Sequence, residues 1–340
     1  MRRIAAVLLA SLFLAHLISV SVLNSDGESN LSPLEEVPLT SYVSSSQYLW
    51  HQNAGGSNSD NVRGLDVDDQ GNIYVCGNYH QIAYFGAFST PTSSSGSSDI
   101  FVAKLSSTGD WLWVKTAGST TTDYCYDIDV DGGGNVSITG VFYSTISFGS
   151  TSFSSSGSYD AYVAVLDTMG NWLWAQKIGA SSSDYAHGIA LADSGNVYVT
   201  GYWSSGTLNF GSAGSISCSS CYSDAYIASL DSQGNWRWAQ RMGGSYYERG
   251  RDVAVDAQER VYVTGEFSYQ VDFGANSQYN YYSYDYWGFI AQYTSTGVFT
   301  CPVAGVYEFH GQGLARQQGG DGNLELTFHK PFFHNPLSLI

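Results

Sequence analysis

Lysine and arginine are scarce in this 340-residue sequence: 13 of them stand against 30 aspartates and glutamates, a formal net charge of −17. So acidic a chain repels the phosphates that a nucleic-acid binder must neutralise, and it avoids anionic membrane surfaces. Catalytic signatures are missing as well. The sequence contains no G-x-S-x-G, no H-E-x-x-H, no G-x-x-x-x-G-K and no G-x-G-x-x-G following a strand. A second C-x-x-C to complete a four-sulfur zinc site is absent too. Beyond the first residues, no segment is apolar enough to cross a bilayer as a helix. That first segment is different: Met1-Arg2-Arg3 precedes an apolar run, Ile4 to Leu23, interrupted only by Ser11, His16, Ser19 and Ser21. It reads as a signal peptide or an uncleaved anchor helix over 1–23, with membrane contact through this segment alone. The expected location is extracellular or cell surface.

Cysteine usage agrees with export. "CSSC", Cys218 to Cys221, is a candidate loop disulfide. Cys76 and Cys125 are candidates to pair across adjacent units, with connectivity left open.

What the chain has in quantity is a repeat. "GDWLWVKTAG", "GNWLWAQKIG" and "GNWRWAQRMG" share one pattern, with a fainter "QYLWHQNAGG" before them. The second aromatics fall at Trp50, Trp113, Trp174 and Trp238, in steps of 63, 61 and 64 residues. Each unit adds three more apolar segments. The first group is "GLDVD", "DIDVD", "GIALAD" and "DVAVD"; the next is "NIYVCG", "NVSITG", "NVYVTG" and "RVYVTG". The last is "DIFVAKL", "DAYVAVL", "DAYIASL" and, less regularly, "WGFIAQY". An "FG" pair at Phe85, Phe148, Phe210 and Phe273 precedes the last group. These segments are short, β-rich and bounded by Gly, Asn or Asp, which are strand and turn signals. Four hairpin-linked strands per unit, repeated four times, predict an all-β chain. The expected fold is a β-propeller of about four four-stranded antiparallel blades over 46–300, as a closed ring or an open arc. A polar linker over 24–45 precedes it, and a short β extension over 301–340 follows. Val298 to Thr300 and Tyr48 to His51 compete for the outermost slot of the last blade. Residues i and i+2 of a strand share a face, so the paired tryptophans are expected to lie together as a packing layer between blades.

The pattern D-V-x-V-D-x-x-G-N-V-Y-V-T-G, then F-G, then D-A-Y-V-A-x-L-D-x-x-G-N-W-x-W-A resembles the bacterial and archaeal β-propeller repeats called SBBP repeats, over about 250 residues. The fourth unit departs at Arg260, where the turn Asn is replaced, and in losing the D-A pair. The resemblance implies an exported or cell-surface scaffold rather than a reaction. Thr294 to Lys330, in particular "GVFTCPVAGVYEF", resembles the opening strands of C1q-like domains. That resemblance implies a jelly roll that trimerises and binds proteins or glycans, though only the opening part of such a domain is present.

Three sets of residues are candidates for chemistry. Asp127, Asp129 and Asp131 of "DIDVDGGGN" resemble the start of a calcium loop, but residue 138 is Ile where the twelfth-position Glu would stand. No cofactor is therefore expected, with calcium as the alternative. Asp60, Asp123, Asp184 and Glu248 recur once per unit, as turn caps or as a ring around an axial channel. "YNYYSYDYW" is the densest aromatic stretch, and Tyr279, Tyr281, Tyr282, Tyr284, Tyr286 and Trp287 are the candidate ligand contacts. His187 shares its repeat position with Arg63, Tyr126 and Arg251 and reads as a rim residue. The expected function is a non-enzymatic scaffold for protein or neutral-glycan binding or adhesion. The alternatives are a propeller hydrolase or lyase acting on polysaccharide, and a C1q-like recognition protein. Oligomeric state is not legible.

Overall fold

The computed structural model describes residues 50–91, 97–218, 222–274, 276–279 and 286–300, together with the backbone of 307–310 and 314–317. The chain divides into two compact units, 1–51 and 52–340. The segments read as signal or anchor and as linker lie outside the described residues, as does nearly all of the C1q-like stretch. Of the latter, the backbone pairs Tyr307–His310 with Leu314–Gln317.

The second unit is all-β and antiparallel. Its first sheet runs Asn61–Val67, Ile73–His80, Ser98–Leu105, Trp111–Ala117 in spatial order. The second runs Asp123–Val130, Val136–Phe148, Thr151–Leu166, Trp172–Ile178, and the third Asp184–Leu191, Val197–Trp203, Asp224–Leu230, Trp236–Gly243. Each unit thus folds on itself, and consecutive sheets pack face to face in a propeller-like series. The fourth sheet corrects the expectation of four strands: Glu248–Val255, Val261–Phe267 and Trp287–Tyr293 form a three-stranded sheet. Its outermost slot holds a single bridge between Tyr293 and Phe299. Val298 to Thr300 therefore supplies that slot, and Trp50 and His51 belong to no strand. The "FG" hairpin of the fourth unit, Gln270–Phe273 with Asn276–Tyr279, instead extends the third sheet through Met242 and Phe273.

The turns explain the Gly-Asn signals. In the second unit Asp131 Oδ1 accepts the N–H groups of Gly133 and Asn135 at 2.9 Å, and Asn135 Nδ2 donates to Oδ2 at 2.7 Å. Gly134 takes φ 88°, a conformation that glycine adopts without penalty. In the fourth unit Arg260 does the asparagine's work, its Nε donating to Asp256 Oδ2 at 2.6 Å.

The tryptophan pairs overturn the reading from strand periodicity. Leu105 pairs with Trp111 while Lys104 pairs with Trp113, so Leu112 is an extra residue in a bulge. The same shift recurs at Trp172 and Trp174, and at Trp236 and Trp238. Each pair is thereby turned to opposite faces. The first tryptophan meets the phenylalanine of its own "FG" pair: Phe85–Trp111 and Phe148–Trp172 lie 5.0 Å apart, Phe210–Trp236 4.8 Å. Phe299 takes that place against Phe273 at 5.2 Å. The second tryptophan reaches the next sheet, its Nε1–H donating to the carbonyls of Thr168, Ser232 and Ser295 at 3.2, 3.0 and 2.8 Å. One tryptophan closes a sheet and its partner joins two.

Candidate functional site

The first strand of every sheet carries a second bulge. Register shifts fall between Val62 and Gly64, Cys125 and Asp127, Ala186 and Gly188, and Gly250 and Asp252. The unpaired residues are Arg63, Tyr126, His187 and Arg251. A bulge re-aims its side chain out of the pleat, and these four, with the residues two before them, form one row across the sheets. The Arg63 guanidinium lies 5.8 Å from the ring centroids of both Tyr124 and Tyr126. Tyr126 stacks on His187 at 5.1 Å. His187 stacks on Tyr185 and Tyr202 at 6.0 and 5.5 Å, and those tyrosines stack on each other at 4.8 Å. Arg249 then spans Tyr202, Tyr247 and Tyr286 at 5.2, 5.6 and 5.8 Å. Glu266 holds Arg251 at 2.5 Å and Arg249 at 3.4 Å. Tyr247 continues the row to Tyr222 at 4.9 Å, and Tyr222 to Tyr246 at 6.0 Å.

The central rings, Tyr124, Tyr126, Tyr185, His187, Tyr202 and Tyr247, are half-buried, and Tyr222, Tyr246 and Tyr286 at the end are exposed. Burial pushes the Tyr126 phenol up to about 12, with neighbouring Tyr185 adding to the effect and Arg63 opposing it. Burial pulls His187 down to about 4, helped by Arg251 and Arg249. The imidazole is therefore neutral near pH 7, and its buried Nε2 has no hydrogen-bond partner among the described residues. The row offers neutral ring edges, phenol hydroxyls and fixed guanidinium groups: donors and acceptors held rigid by stacking.

The sequence-derived candidates distribute unevenly around this row. Tyr286 belongs to it through Arg249. Tyr279 is exposed at the end of its hairpin strand. Trp287 is half-buried and packs against Phe267 at 6.4 Å, a core-side role. Tyr281, Tyr282 and Tyr284 lie outside the described residues. The acidic trio is not gathered round a common point. Asp127 Oδ2 accepts the Ile189 N–H at 2.8 Å and Asp129 Oδ2 the Leu191 N–H at 2.6 Å, both across the junction to the third sheet. Asp131 closes its own turn, and no group of three or more metal-type ligands occurs among the described residues. The once-per-unit acids cap turns: Asp60, Asp184 and Glu248 accept the N–H of Gly56, Ala180 and Gly244, each four residues earlier, at 2.6, 2.6 and 2.8 Å. Asp123, Asp184 and Glu248 are wholly buried, which removes the channel-ring alternative for them. Cys76 and Cys125 form a disulfide joining the first two sheets, Cα atoms 6.1 Å apart. Cys218 is disulfide-bonded as well, while Cys221 lies outside the described residues.

The sequence marks Arg63, Tyr126, His187 and Arg251 as one rim position, but not the stacked row that they build with Tyr124, Tyr185, Tyr202 and Arg249. The available signal was positional: Arg63, Tyr126, His187 and Arg251 occupy one repeat position, and their variability amid a regular pattern is what a presented surface shows.

Comparison with known proteins agrees with this architecture. The profile of the SBBP beta-propeller repeat matches residues 49–78 and 173–202. The chain is also similar to an uncharacterized WD repeat-containing protein, L264, of Acanthamoeba polyphaga mimivirus, 24% identical over 200 residues. That alignment covers 50% of this chain and 14% of the viral protein's length.

Proposed function

We propose that this chain is a non-enzymatic, exported propeller-like scaffold that binds glycan through the bulge row, with the exposed Tyr286 at its end. One observation carries the reading: Arg63, Tyr126, His187 and Arg251 occupy the first-strand position that bulges in each unit's sheet, and with Tyr124, Tyr185 and Arg249 two residues earlier they build an aromatic and guanidinium surface. A repeat profile on two stretches and similarity to a WD-repeat protein support a repeat-based scaffold of this kind. Phenol hydroxyls beside fixed arginines suit sugar hydroxyls and an isolated sugar carboxylate, whereas a net charge of −17 disfavours polyanions. A hydrolase is less well supported. A glycosidase needs two carboxyl groups facing a substrate cleft, and Asp123, Asp184 and Glu248 are buried inside the sheet stack.

The test is a glycan array of neutral and uronic-acid oligosaccharides, probed with the wild-type chain and with a Tyr126→Ser/Tyr185→Ser variant. Loss of binding at an unchanged thermal midpoint supports the reading. Retained binding by the double variant, or release of reducing sugar from any array member, sinks it. Binding of protein but no glycan would move the row to protein recognition.

A further inference from the structure

The three internal junctions between sheets use one design, and each end of the series presents half of it. In the first junction, Tyr74, Cys76, Ile100 and Val102 of the first sheet share a core with Cys125, Ile128 and Val130 of the second. The later junctions repeat the arrangement, Val163 with Ile189 and Ile227 with Val253. At the first two junctions a backbone N–H also donates to a carboxylate of the preceding sheet, Val130 to Asp66 and Ile189 to Asp127, both at 2.8 Å, while the third has Gly188 and Ala190 at those positions.

At the start of the series the first strand of the receiving half is uncovered among the described residues, while Val75, Phe101, Ala103 and Leu105 beside it are buried in a cluster with Phe85. By register, Val62, Leu65 and Val67 stand where the second sheet has Cys125, Ile128 and Val130. The second-sheet residues are 0%, 1% and 9% exposed; Val62, Leu65 and Val67 are 60%, 62% and 43% exposed. At the far end the donating half is bare in the same way. Ile290 stands where Val102, Val163 and Ile227 are fully buried, yet is 65% exposed. Around it Thr264 and Gly288 are exposed too, in the places of Cys76 and Ile100. Asp252 occupies the position of Asp127, and Leu65 that of Ile189.

We propose that these two faces cover each other between two copies of the chain, the fourth sheet of each docking on the first sheet of its partner to give a closed ring of eight sheets. Internal symmetry is the argument. Each bare face is one half of a junction built three times within the chain, and the two halves differ, so the contact is heterologous. Two such contacts related by a two-fold axis close without leaving an open end, and eight sheets lie within the range of about 4–8 in which propellers close. The junction also specifies its contacts: Ile290 lies over Val62 and Leu65, and the Leu65 N–H donates to Asp252. Burying these apolar side chains removes from water the largest group of exposed aliphatics on either face.

Sedimentation and light scattering of the chain, with Leu65→Asp and Ile290→Asp made singly, test this. The wild type is expected at twice 36.8 kDa, and each single variant at half that mass. Both substitutions lie on faces exposed in the monomer, so each variant should keep the wild-type circular dichroism spectrum. Mixing the two variants leaves one intact junction per pair and should restore a dimer. A Leu65→Cys/Ile290→Cys chain adds a second readout, expected to form a cross-linked species of doubled mass without reductant. A monomeric wild type, or a bond formed within one chain, overturns the proposal in favour of self-closure. Neither readout depends on glycan binding, so failure here leaves the proposed function standing.

Discussion

The second and fourth sheets are written in the same repeat, and only the second is finished. The second has four strands and a neighbour on each face; the fourth has three strands, a one-residue bridge and one bare face. At the junction-facing positions the side chains are alike, Val163 against Ile290 and Ile128 against Val253, so what separates them there is context. An apolar residue in this repeat stabilises the fold through the adjacent unit, which is why repeat architectures behave as chains of nearest-neighbour contacts. The widest test of that difference is one substitution made at two equivalent positions. Val163→Asp buries an unpaired carboxylate between the second and third sheets and should abolish cooperative folding. Ile290→Asp, at the same register on the face left to the partner, should keep the fold, with a stability within about 0.5 kcal/mol of the wild-type chain diluted to monomer. Equal damage at both sites under dilution, read by circular dichroism melts, would mean that the fourth sheet is covered within its own chain.

Covalent linkage separates the sheets next. Cys76–Cys125 ties the second sheet to the first across 49 residues, while the corresponding positions at the third junction are Thr200 and Gly250. Cys125→Ser should cost about 2–4 kcal/mol in guanidinium unfolding. A loss under 1 kcal/mol would show that packing alone holds the first junction, as it must the third.

A smaller contrast lies in protonation. Burial raises the acids that open the sheets: Asp123 to about 8, Asp184 to about 7 and Glu248 to about 9. Nearby Asp99, Asp160 and Asp224 respectively add to the rise. An acid with a raised folded-state pKa keeps its proton better when folded. Its contribution is complete below the unfolded value, near 4, and is lost as pH climbs through the folded one. The midpoint should therefore fall between pH 5 and pH 9, and the fourth sheet's share should be lost last. Glu248→Gln should flatten the decline above pH 8, and an unchanged profile would assign the titration elsewhere.

The strands, the turns and the four-unit count were legible because they rest on local rules, alternation and Gly-Asn turns. The tryptophan faces were not. Periodicity puts Trp172 and Trp174 on one side, but a bulge at Leu173 separates them, and bulges leave no mark on composition. The rim position of His187 and Tyr126 was legible from the repeat, but their stacking was not, since they become neighbours only once each first strand has bulged. The calcium alternative at Asp127, Asp129 and Asp131 rested on spacing in one dimension, whereas in the fold two of them reach across to the backbone of the next sheet.

The smallest expected effect concerns the place where the fourth unit departs most visibly from the pattern. Arg260 stands where Asn72 and Asn135 stand in the first two units. Asn72 Nδ2 donates to Asp68 at 2.8 Å, and Arg260 Nε donates to Asp256 at 2.6 Å, so one carboxylate is satisfied by two different donors. Asp256 also accepts the N–H groups of Gln258 and Arg260 and the Tyr262 hydroxyl, and the hydrogen bonds from Arg260 and Gln258 hold its pKa down against burial. Arg260 is the exposed partner, its side chain 53% accessible, and exposed ion pairs contribute about 0–1 kcal/mol. Arg260→Asn should therefore leave the midpoint unchanged. Asp256→Ala, which strips the turn of the acceptor for all four donors, should cost about 1–2 kcal/mol. If Arg260→Asn were instead as damaging as Asp256→Ala, the guanidinium would be making a contact beyond the turn. The fourth unit would then differ from the others in its wiring and not only in its missing neighbour.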